Sequence, residues 1–148
     1  MKGNWNDRGL LLLRLALGSV FVMHGWQKLA LLGPGAITGF LASSGVPFPG
    51  LNAVILISVE LLGGVALMTG AFTRIAASLI AFAMLVATVL VHLPNGYFMP
   101  NGIEFTLTLM LASVAMTMTG AGAYSIDARL LGARPWRAAR DSELHRAA

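Results

Sequence analysis

At 148 residues, 57% hydrophobic and only 11% charged, the chain is too apolar for an ordinary water-soluble domain. It contains no cysteine, which excludes disulfides, thiolate nucleophiles and cysteine-ligated metal. Its formal net charge of +4 is unevenly placed, and the pattern reads as membrane orientation rather than as a nucleic-acid surface.

Lys2 and Arg8 precede a first apolar run over residues 10–32. A signal peptide is the competing reading of such a start. Arg14 interrupts its apolar core, the run continues to Leu32, and no small-residue cleavage pattern closes it, so the segment reads as a transmembrane helix. The linker "GPGAITGFLASSGVPFPG" (residues 33–50) has no Lys or Arg, and its part from Ala36 to Ser44 suits a short interfacial helix between Gly/Pro stops. Apolar runs follow over residues 51–70 and 75–92, with Arg74 in the tight link between them. "LPNGYFMPNG" (residues 93–102) is turn chemistry, again without Lys or Arg; its Tyr97 and Phe98, with Trp26 and Phe48, suit an outer membrane interface. The last apolar run covers residues 103–120, and Arg129, Arg134, Arg137, Arg140 and Arg146 follow it.

Each run is close to the roughly 20 residues that cross a bilayer as a helix, and none alternates like a barrel strand. The expectation is an all-α integral membrane protein. Residues 1–128 would form a bundle of four transmembrane helices and residues 129–148 a basic cytoplasmic tail. The positive-inside rule puts both termini in the cytoplasm and the two uncharged linkers outside, with the tail against anionic lipid. "MTGA" closes both the second run (Met68–Ala71) and the fourth (Met118–Ala121), a weak sign of duplicated hairpins.

Ionisable groups at membrane depth are costly and tend to face a bundle interior. At about 100° per residue, Arg14, His24 and Lys28 share one arc of roughly 80° on the first helix. At a rise of about 1.5 Å per residue, His24 lies roughly 10 Å below the outer end of its helix and Glu60 about 13 Å below that of the next. His92 and Glu104 mark the outer ends of the third and fourth helices. The expected site is therefore an outward-facing cluster with His24, Glu60 and His92 as candidate catalytic groups and Arg14, Lys28, Glu104 and Trp26 as candidate substrate-binding groups. Arg14 could reach up to Glu60 as an alternative counter-charge. Gly63 and Gly64, three and four residues after Glu60, would admit a neighbouring helix closely.

Each of these has a structural alternative. Lys28 and Glu104 could snorkel, His92 could sit in outer water, and Arg14 with Glu60 could form an ion pair that sets helix register. Two histidines and two carboxylates could bind a divalent metal, but without EXXH or HEXXH spacing that signal is weak, and no haem attachment motif, Walker loop or nucleophile elbow is present.

The stretches "RLALGSVFVMHGWQKL", "GVPFP", "ELLGGVALMTGAFTRIAA", "HLPNGYF" and "GAGAYSIDARL" together resemble the DoxX family of small bacterial and archaeal membrane proteins over nearly the whole chain. The matching positions are Arg14, His24, Gly25, Lys28, Glu60, Gly63, Gly64, Arg74, His92, Glu104 and Asp127, whereas Ala123 stands where a basic residue is common. The resemblance implies a four-helix bundle in a bacterial inner (plasma) membrane and a link to respiratory or redox chemistry. Named members are membrane subunits associated with a terminal quinol oxidase and with thiosulfate:quinone oxidoreductase, or partners of thiol-stress and quinone-stress enzymes. Three functions then compete. The first is a quinone-linked redox protein or oxidoreductase subunit whose polar cluster takes a quinone headgroup or small redox substrate. The second is a non-enzymatic scaffold that docks a partner oxidoreductase on its tail. The third is a small transporter, for which a homodimer would enclose a path.

Overall fold

The structure, a computed structural model, describes residues 4–130, and every regular element among them is helical. The tail beyond Leu130 lies outside the described residues. The first helix, α1 (Trp5–Trp26), starts five residues before the apolar run because Asn4 and Asp7 form a capping box. The Asn4 side chain accepts from the Asp7 amide at 2.9 Å, and Asp7 accepts from the Asn4 amide at 3.1 Å. The helix then widens into π-helical turns over Gln27–Leu32 and stops at Gly33, whose φ of 81° few other residues adopt.

Pro34, well suited to a first helical position, opens α2 (Pro34–Ser43). This short helix lays Ile37 and Leu41, with Val46 after it, against Ala53 and Ile57 of α3 (Pro49–Thr69). Left-handed Gly70 ends α3, with the amides of Gly70 and Ala71 both returning to the Ala66 carbonyl. After the tight turn come α4 (Thr73–Val86), π-helical turns over Ala87–His92 and a 3-10 turn at Leu93–Asn95. The chain descends again as α5 (Glu104–Thr119) and ends in α6 (Ile126–Leu130).

Among the described residues, three helical segments are long and apolar enough to cross a membrane: Trp5–Leu32, Pro49–Thr69 and Thr73–Asn95. The apolar α5 has 16 residues, roughly 24 Å of helix at 1.5 Å per residue. Leu12, Leu62, Phe82 and Leu111, each more than half exposed, cover the outside, as helices surrounded by hydrocarbon require.

The start of α1, the α3–α4 turn and α6 share one end of the molecule, called the lower end here. The end of α1, α2, and the loop before α5 form the upper end. The helices pack as two close pairs, α1 on α3 and α4 on α5. The lower and middle levels join the pairs through Leu17, Phe21, Leu67, Ala77, Ile80 and Met116. Towards the upper end the pairs separate.

Candidate functional site

The α1–α3 pair approaches closely because its contact positions lack side chains. A Cβ on Gly64 would lie 2.8 Å from both the Gly18 carbonyl oxygen and the Val22 amide nitrogen, and one on Gly25 would lie 2.9 Å from the Leu61 amide nitrogen. Gly63 instead faces α4, where a Cβ would meet Ile80 at 3.0 Å. The adjacent glycines thus serve two different helix neighbours. With the backbones this near, Lys28, in the π-helical turns after α1, reaches Glu60 across the interface. Its Nζ donates to both carboxylate oxygens, at 2.9 and 2.7 Å. Glu60 is only 2% exposed, so the ammonium supplies the charge that water would otherwise screen.

The pair forms part of the wall of a cavity of about 630 Å³ where the two helix pairs diverge. His24, Lys28, Glu60 and His92 all line it, on walls otherwise built from Phe21, Leu56, Val59, Ala83, Ala87 and Leu109. Both π-helical segments border the cavity, one through Lys28 and the other through Ala87, Val91 and His92. Leu41 and Val46 border it from the α2 side, and Met99, Pro100 and Gly102 from the loop before α5.

Hydrogen bonding orients both rings. His24 Nδ1 lies 2.9 Å from the Val20 carbonyl and His92 Nδ1 lies 2.8 Å from the Asn101 carbonyl. A carbonyl only accepts, so each Nδ1 carries hydrogen, and in the neutral ring Nε2 is left as an acceptor. The His24 ring lies 6.0 Å from that of Phe105, centroid to centroid, and Phe105 also lines the cavity. Thr106, hydrogen-bonded to Thr88 at 2.9 Å, ties α5 to the π-helical turns that follow α4. Phe105 and Thr106 were not legible as site residues. No spacing distinguishes them from ordinary helix residues, and only the helix pairing turns them inward.

The other predicted residues lie elsewhere. Glu104 accepts from the Met99 amide at 3.1 Å and holds the loop outside the cavity lining. Trp26 is 53% exposed on the outer face. Arg14 does not reach Glu60. It is fully buried at the lower end, where Nη2 donates to the Tyr124 carbonyl at 2.5 Å and the guanidinium lies over Gly70 and against Ser125. Among the described residues, Nε and Nη1 find no acceptor.

Two carboxylates complete that lower knot. Asp127 accepts from the Phe72 and Thr73 amides, at 2.7 and 2.9 Å, and so caps α4 from the far end of the chain. Its own amide returns to the Gly70 carbonyl at 2.9 Å. Phe72, with φ of 49°, holds a backbone conformation that L-residues disfavour, and the Asp127 contact anchors it. Asp7 accepts from the Ala123 amide at 2.8 Å. That contact uses only the backbone amide of residue 123, so the alanine there does not weaken it.

Among the described residues, no three metal-ligating side chains converge. A family model described as DoxX matches residues 9–93. The chain is 34% identical to the "Putative oxidoreductase CatD" of Bacillus subtilis over 80% of its own length and 84% of the relative's. It is 31% identical to the inner membrane protein YphA of Escherichia coli, covering 81% of this chain and 89% of that one. The inner membrane protein YqjF of the same organism is 33% identical, with 84% and 93% covered. No solved structure matches the chain significantly.

Proposed function

We propose, for a chain that belongs to the DoxX family of membrane proteins, that the upper cavity binds the headgroup of a quinone or a similar small redox substrate and makes the protein a quinone-linked redox component. The observation that carries this reading is a largely apolar cavity with one buried ion pair and two oriented imidazoles in its walls. Its volume lies within the roughly 300–1,000 Å³ of small-molecule sites, and apolar walls with a few placed polar groups suit a ring with oxygens at its edge. A relative that bears an oxidoreductase name adds to the reading.

The residues present divide the work. Lys28 Nζ donates to a ligand oxygen and favours negative charge on it, while Glu60 keeps that ammonium in place. His24 and His92 receive or return protons at Nε2. Electrons come from a second substrate or a partner oxidoreductase. In this reading α5 is the fourth span. The lower end, with Arg8, Arg74 and Arg129, faces the cytoplasm with both termini, and the cavity belongs to the outer half of the bacterial inner membrane.

The test is binding by the purified protein. A short-chain benzoquinone should raise its melting temperature in detergent, and a Lys28→Met/Glu60→Met variant should lose that shift while staying folded. No shift for any quinone or quinol, together with no quinone in the extracted protein, would end this reading.

A further inference from the structure

The cavity wall between α3 and α4 is open on its outer side. Ile55, Leu79 and Phe82 line the cavity, yet they are 47%, 51% and 66% exposed on the membrane-facing surface. A second, shallower depression of about 230 Å³ begins at that wall, sharing Val59 and Leu79 with the cavity and running down the α3–α4 seam to Phe72. Small residues make its floor, namely Gly63, Ala66 and Ala76, and larger ones such as Leu62 and Ile75 stand at its rim. From Val59 to Ala66 the track covers about 10 Å of helix.

We infer that the ligand reaches the cavity sideways from the bilayer, between α3 and α4, and that the depression below holds its hydrocarbon tail. This rests on the headgroup reading above and narrows its substrate class to a tailed amphiphile. Continuity decides the occupant: the depression shares two residues with the cavity wall, so a chain lying in it leads to the Lys28–Glu60 pair. The small-residue floor admits a linear chain beside the helix backbones, and no charged residue borders it. A water-soluble substrate would have no use for this track.

Two probes with the same dimethoxy-methyl-benzoquinone ring, one bare and one carrying a decyl chain, test the inference on the full-length protein in nanodiscs. In Ala66→Phe, which fills the floor, the preference for the decyl probe over the bare ring should fall about tenfold, as expected when several methylenes lose their contact. In the wild-type protein, a diazirine at the chain end should label Leu62, Ala66, Ile75 or Leu79, which keeps the test independent of how the variant folds. An unchanged preference in Ala66→Phe with labelling elsewhere overturns the inference and leaves the headgroup reading standing. Equal labelling of the same residues by a decyl alcohol diazirine also overturns it, by making the track an ordinary lipid contact. Binding of neither quinone overturns both.

Discussion

The two ends of the helices use buried charge in opposite ways. At the lower end Asp7, Arg14 and Asp127 bond to backbone: Asp127 caps α4, Asp7 holds Ala123, and Arg14 reaches the Tyr124 carbonyl. These groups close the α6 segment over the helix ends. At the upper end Lys28 and Glu60 bond to each other, and both border a void that His24 and His92 also line. Charges matched to backbone stitch a fold together. Charges matched to one another beside open space leave hydrogen-bonding capacity for something else.

Single and double substitutions would break or sharpen that contrast. The largest loss is expected for Glu60→Ala, which strands the Lys28 ammonium and should cost about 3 kcal/mol of stability. Replacing both partners, in Lys28→Met/Glu60→Met, should restore most of the melting temperature while abolishing quinone binding. A double variant as unstable as Glu60→Ala would make the upper pair a structural stitch like those below. Gly64→Val should force α1 from α3 at a cost of about 1–3 kcal/mol, because the added carbons meet backbone that cannot move aside.

Asp127→Ala should cost about 1–2 kcal/mol through the lost cap of α4 and leave the ligand-induced melting shift at its wild-type size. A lost shift would show that the lower knot governs the cavity and would erase the contrast. The smallest stability change is expected for His24→Phe, which keeps an aromatic partner for Phe105. Its melting temperature should stay within a few degrees of wild type while quinone affinity falls; unchanged affinity would remove His24 from the site.

The helices were legible because each element announced itself locally. The apolar runs match the length that hydrocarbon demands, and the Gly/Pro stops around the first linker bound α2. Start points still shifted. α1 begins before its apolar run because capping depends on polar residues that hydropathy ignores. The stripe of Arg14, His24 and Lys28 was read from periodicity, yet its members part company. Arg14 lies about three turns below His24 and about four below Lys28, and its length carries it down to Tyr124 rather than up to Glu60.

From sequence alone came an all-helical membrane protein with charge at depth, since composition and the period of a helix are properties of the chain itself. Which charges meet was decided by tertiary structure. Gly18, Gly25 and Gly64 set how near α1 and α3 approach, and that spacing joins Lys28 to Glu60. The parting of the two helix pairs above their shared core places Phe105 and both histidines around one cavity. A void belongs to no residue in particular, so no local pattern records it.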